Sequence, residues 1–160
     1  MMRRGLFLLL FLCGCKSAPP AKTPAEPAPQ KVYMAPYEVV WRAAQLSLKY
    51  PVQINNMETG VLETEWIREP DGFRSPGETK KPSPGIRYKL RLLFVRGGMD
   101  GKKSTRVTVV KKTERMPDFF SEPVPVVSEV LEEHLILYRI ERELQIEEGI
   151  RRANKQNQKT

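Results

Sequence analysis

Apolar and polar residues alternate most regularly from Ile86 to Val95. Ile86, Tyr88, Leu90, Leu92 and Phe94 share one face, and Arg87, Lys89 and Arg91 share the other. A period of two predicts a strand buried on one side only. Ser104 to Thr113 returns in the same manner, with Thr105, Val107 and Val109 alternating among β-branched neighbours. Between them Arg96-Gly97-Gly98-Met99-Asp100-Gly101 predicts a hairpin turn. Val61 to Ile67 also alternates, which places Leu62, Thr64 and Trp66 on one face and Glu63 and Glu65 on the other. Val52 to Ile54 reads as a short strand ahead of a turn at Asn55 to Gly60, and Lys31 to Met34 as one more.

Two segments carry helical spacing instead. From Tyr37 to Tyr50 the apolar residues are Tyr37, Val40, Trp41, Ala44 and Leu48, with Pro36 suited to the first turn and Pro51 as a stop. Val126 to about Glu148 predicts a long final helix with Ser128 as a plausible N-cap. Leu131, Leu135 and Tyr138 line one side of it, and Leu137, Ile140 and Leu144 widen that side. Short connections favour sequential antiparallel pairing. The expected fold is therefore a two-layer α+β domain over residues 31–150, in which two helices pack an antiparallel sheet of three to five strands. The second helix is long and C-terminal. Residues 68–85 form a long loop with four prolines and three glycines. Glu114 to Pro125 is a connector, and residues 151–160 read as a polar, basic, frayed tail.

The start of the chain has a different character. Arg3 and Arg4 precede a short apolar run, Leu6 to Leu12, and then Cys13-Gly14-Cys15. That order predicts a cleaved export signal over residues 1–14, and the run is far shorter than the roughly 20 residues a spanning helix needs. Leu12-Cys13-Gly14-Cys15 resembles the bacterial lipobox. The resemblance implies lipidation of Cys15, with cleavage before it. Lys16 in place of Asp points to the periplasmic side of the outer membrane. Residues 15–30 then hold five prolines among alanines, which predicts an extended linker reaching about 45 Å from the bilayer.

The full chain carries a net charge of +8 from 27 basic and 19 acidic residues. Loss of Arg3 and Arg4 with the signal leaves +6. Behind an export signal this charge favours anionic headgroups, lipopolysaccharide or peptidoglycan over nucleic acid. The mature chain keeps a single cysteine and so forms no internal disulfide.

No catalytic constellation stands out. His134 is the sole histidine, inside the last helix, with no second histidine or cysteine near it in sequence. Neither a nucleophile elbow nor a phosphate loop is present, and neither a cofactor nor a metal is expected. Two binding features remain. Arg87, Lys89, Arg91, Arg106 and Lys112 fall on the outward sheet face, either paired with Glu63 and Glu65 or open to headgroups and acidic partners. Phe119 and Phe120 lie between prolines, either closing the core or docking on a partner.

The run from Ala35 to Trp66 has a helix with a central Val-Trp, a strand, a turn ending in glycine and then Thr-x-Trp. It resembles the BamC-like outer-membrane lipoprotein domains, and Arg87 to Arg91 and Val107 to Val109 continue the pattern. The resemblance implies a helix-grip fold, no catalytic residues and a partner in an envelope complex.

Overall fold

A computed structural model describes residues 27–79, 83, 85–118, 120–127 and 129–158. Cys15, Phe119 and Ser128 lie outside the described residues. In chain order the elements are β1 (Gln30–Tyr33), α1 (Tyr37–Ser47), β2 (Val52–Asn56), β3 (Val61–Thr64), β4 (Ile67–Arg68), a single 3-10 turn (Glu69–Asp71), β5 (Ile86–Met99), β6 (Lys102–Arg115), β7 (Val124–Val126) and α2 (Leu131–Asn157).

The class is the expected α+β, with two helices on one antiparallel sheet. The sheet is larger than the expected three to five strands. Five strands run in the order β1-β6-β5-β3-β2, and two short ones extend the margins, β4 on β5 and β7 on β6. The β5–β6 hairpin is its spine. Its register holds unbroken from Ile86↔Arg115 to Met99↔Lys102. The turn is only Asp100-Gly101, shorter than the Arg96 to Gly101 segment expected, and both residues have positive φ, 52° and 71°. Such a two-residue turn matches the twist of the strands it joins, so the strands extend further toward the tip.

The inner face of this spine carries the core. Leu90, Leu92, Val107 and Val109 are fully buried beneath Val40, Trp41 and Ala44 of α1 and Ile136 and Ile140 of α2. Trp41 packs on Phe94 with ring centroids 4.6 Å apart, and Tyr37 meets Phe94 edge-on at 6.1 Å. The Tyr33 hydroxyl donates 2.7 Å to the Leu137 carbonyl and ties β1 to α2. α1 and α2 run antiparallel. Arg42 pairs with Glu147 near one end, and the Tyr50 hydroxyl meets Glu132 near the other.

Several boundaries differ from expectation for identifiable reasons. α2 begins at Leu131 rather than Val126 because Pro123 and Pro125 keep the preceding residues extended. Val124–Val126 pairs instead with Thr113–Arg115 as an edge strand, where a proline is tolerated. α2 also runs through residues 151–157, where Arg152 pairs with Glu148 one turn back at 2.6 Å. Its buried face is Ile136, Leu137 and Ile140, whereas Leu131 and Tyr138 are exposed. α1 stops at Ser47, and Leu48 is already extended. Trp66 does not join Leu62 and Thr64. From Leu62↔Leu92 to Ile67↔Tyr88, five steps on one strand oppose four on β5. That extra residue is a bulge, which sends Trp66 to the outer face and turns Ile67 inward.

Gly60 closes the β2–β3 turn with φ at 71°, and a Cβ there would lie 2.5 Å from the Phe94 carbonyl oxygen. Gly101 has the same φ but open space around it. Gly60→Ala should cost at least about 2 kcal/mol and Gly101→Ala about 1 kcal/mol, measured by urea denaturation.

Candidate functional site

Alternation along β5 carries Arg87, Lys89 and Arg91 to the sheet face that no helix covers. The same alternation along β6 brings Glu114, Lys112 and Val110 directly opposite them. Glu63 of β3 lies opposite Arg91 from the other side. The result is a lattice in which Glu63 binds both Lys89 and Arg91, and Glu114 binds Arg87 at 3.2 Å and Lys112 at 2.7 Å. The displaced Trp66 sits in its middle. The Arg87 guanidinium lies 4.3 Å from the indole centroid, with the Lys89 and Lys112 ammonium groups at 5.1 and 5.6 Å. Each such cation–π contact adds about 0.5–1 kcal/mol at an exposed site.

The carboxylates at the centre of this lattice are buried. Glu63 is 1 % exposed. Burial alone would push its carboxyl upward, but the hydrogen bonds and charges of Lys89 and Arg91 outweigh it and hold it below the ordinary value. The hydrogen bond from Lys112, opposed in part by burial and aided by Arg87, holds Glu114 low as well. Both therefore stay ionised and keep four cations occupied. The expected pairing of the basic face with Glu63 is thus present, and Glu114 takes a second share.

The remaining expected residues fall elsewhere. Arg106 is on the same face but further along, between Val95 and Val32. Phe120 is exposed in the connector after β6, where its backbone N–H donates 2.8 Å to Asp118. The buried core closes without it. His134 lies exposed on α2.

Apolar side chains flank the lattice, with Ile54 and Val110 at the two ends of the row that Glu63 and Arg91 hold. Leu93 and Val61 are cross-strand partners, and Val110 lies beside them opposite Arg91. Leu93, Val110 and Ile54 are each 36–37 % exposed, and Val95 and Val32 about half exposed. These aliphatic side chains line one sheet face with no layer above them among the described residues. No protein-family model and no curated protein matches the chain.

A second polar group lies on the inner side. The Tyr50 hydroxyl donates 2.9 Å to Glu132 Oε1, the Tyr88 hydroxyl lies 3.1 Å from the same oxygen, and Lys111 Nζ pairs with Glu132 Oε2 at 2.8 Å. The Phe73 N–H donates to the Tyr88 hydroxyl at 2.9 Å and folds the long loop back against the sheet. A cleft of about 670 Å³ opens beside these groups, between residues 73–79, β5–β6 and the start of α2. Burial raises the Tyr88 pKa far above the ordinary phenol, so this hydroxyl is a fixed donor, not a base. Among the described residues no cluster of His, Cys, Asp and Glu could hold a metal ion.

Sequence reasoning missed Glu114, Trp66, Lys111 and Glu132. Parity along β6 carries the first and third, since Glu114 continues the outer series and Lys111 the inner one. An inward lysine implies a buried carboxylate partner. Nothing in the sequence marks the bulge that moves Trp66.

Two substitutions should separate the carboxylates by pH. The Glu63 carboxyl is lowered on folding, so its contribution is present above the unfolded carboxyl range and lost as pH falls through the folded value. Glu63→Gln should cost about 2 kcal/mol at neutral pH and progressively less in acid. Glu133 behaves oppositely. Burial raises its pKa and its Oε2 has no partner, so stability falls as pH rises through the folded value. Glu133→Gln should raise the urea midpoint at neutral pH and leave it unchanged below the ordinary carboxyl range.

Proposed function

We propose that this chain is a lipid-tethered, non-enzymatic docking module of the bacterial cell envelope. Cys15 carries the lipid, the Pro/Ala-rich linker stands the domain off the membrane, and the uncovered sheet face meets a protein partner. The setting is the periplasmic side of the outer membrane, and the partner belongs to outer-membrane protein assembly or another envelope complex.

The observation that carries this reading is the division of the outer face. The four cations around Trp66 are already committed to Glu63 and Glu114, and exposed aliphatic side chains stand beside them at Leu93, Val110 and Ile54. Exposed aliphatic side chains set among polar residues are what a protein interface takes. The lipobox residues and the linker support the tether. No described helix is long and apolar enough to cross a membrane.

A second reading gives the basic face to lipid headgroups, lipopolysaccharide or peptidoglycan. Internal pairing of Arg87, Lys89, Arg91 and Lys112 leaves that reading less support, because a new anion would compete with two buried carboxylates.

A photo-crosslinking residue at Leu93 or Val110, in cells carrying the lipoprotein, should yield a defined adduct with an envelope protein. The same residue at Lys49 should yield none, and Val61→Asp should abolish the adduct. An adduct from Lys49 as strong as from Leu93, or none from either outer-face site, contradicts the docking face. In the same cells Cys15→Ser should release the protein from membranes on a salt wash; retention contradicts the tether.

A further inference from the structure

Positive charge with no ion-pair partner gathers on the outer face at the end of the β5–β6 hairpin. β3 accompanies β5 only as far as Leu93, and β1 accompanies β6 only from Thr105 onward. From Arg96 to Ser104 the two strands therefore pair only with each other and project as a ribbon. Of the four basic residues from Arg96 to Arg106, alternation puts Lys102 and Arg106 on the outer face, whereas Lys103 has the inner parity and Arg96 lies over the Tyr37 ring on the inner side at 3.7 Å. The one acid, Asp100, is in the turn. Lys102 and Arg106 have no ion-pair partner among the described residues, unlike the four cations of the lattice.

The register also sets apolar side chains between these cations. Val95, Arg106 and Val32 form one row across the outer face, and Met99 and Lys102 form the next pair at the tip. Val32, Val95 and Met99 are each about half exposed. Gly97 and Gly98 leave the ribbon thin between the rows. Half-exposed aliphatic groups interleaved with unpaired Lys and Arg are the chemistry of a surface that lies in a bilayer interface. There the apolar groups enter the acyl boundary and the cations meet anionic headgroups.

From this we infer that the ribbon tip, through Met99, Lys102 and Arg106, docks on an anionic bilayer surface. The inference rests on the reading of Cys15 as the lipid attachment, which keeps a bilayer within about 45 Å of β1. It adds an orientation to that reading. The domain leans its hairpin end on the membrane, and the Leu93–Val110 region beside it stays open to a protein. Electrostatic attraction to the headgroups supplies the binding, so the contact weakens with salt while the lipid anchor does not.

The test uses the mature lipoprotein with Met99→Cys carrying a nitroxide, reconstituted into vesicles of phosphatidylcholine alone or mixed with phosphatidylglycerol. The label's accessibility to an aqueous nickel chelate should fall at least about threefold on the anionic vesicles. High salt or the double variant Lys102→Glu, Arg106→Glu should restore it. A label at Glu122, on the connector, should not respond. Equal accessibility of the Met99 label in both vesicles overturns the inference. Protection that requires added membrane proteins instead of anionic lipid also overturns it, and assigns the ribbon to a protein. Flotation in high salt reads the anchor separately. Protein that floats while its label stays exposed refutes the ribbon contact alone, and protein that leaves the vesicles refutes the anchor and the inference with it.

Discussion

The register of one long hairpin governs this domain. Fourteen residues on each side of Asp100-Gly101 pair without interruption. Side chains alternate faces along a strand, so a shift of one residue would exchange the whole inner and outer sets. A two-residue turn with positive φ at both positions admits little slippage. That constraint places Leu90, Leu92, Val107 and Val109 under the helices, and it places Arg87, Lys89 and Arg91 against Glu63 and Glu114. It also leaves Leu93, Val110 and Val95 on the side that no described element covers.

The two faces then have different energetic characters. The inner face is a conventional apolar core with one polar inclusion, where Lys111 and Glu132 neutralise each other and the hydroxyls of Tyr50 and Tyr88 bond the carboxylate. Such an inclusion holds a specific arrangement of α2 over the sheet more than it adds stability. The outer face is divided along the strands. Its base is a closed set of ion pairs around Trp66, its middle is aliphatic, and its tip is basic and unpaired. A basic composition read along the chain cannot distinguish a cation already held by a buried carboxylate from one that is free. Arg91 and Arg106 look alike in sequence, and only one of them is occupied.

Much of the fold was legible because the hairpin obeys its period so closely. The buried positions of β5 and β6, the amphipathic α1 and the long C-terminal α2 all follow from simple spacing. The failures have physical causes. A bulge after Thr64 adds one residue to the β3–β4 edge and reverses the parity of Trp66 without leaving a Gly or Pro to mark it. Pro125 converts the expected first turn of α2 into an edge strand. The candidate site was legible in its cations and in Glu63, but Glu114 was assigned to the connector although it continues the outer series of β6. The aliphatic part of the face went unread because valines in a strand suggest burial, and burial depends on whether a second layer exists.

In the proposed role the outer face is free in the isolated domain and covered by a partner in the envelope. Carbene footprinting of the protein in membranes of cells that express it, against the purified protein in detergent, tests it directly. The account predicts strong protection of Leu93 and Val110 in membranes and unchanged labelling of Ile146, an exposed residue of α2. Equal labelling of Leu93 and Val110 in both states would contradict it.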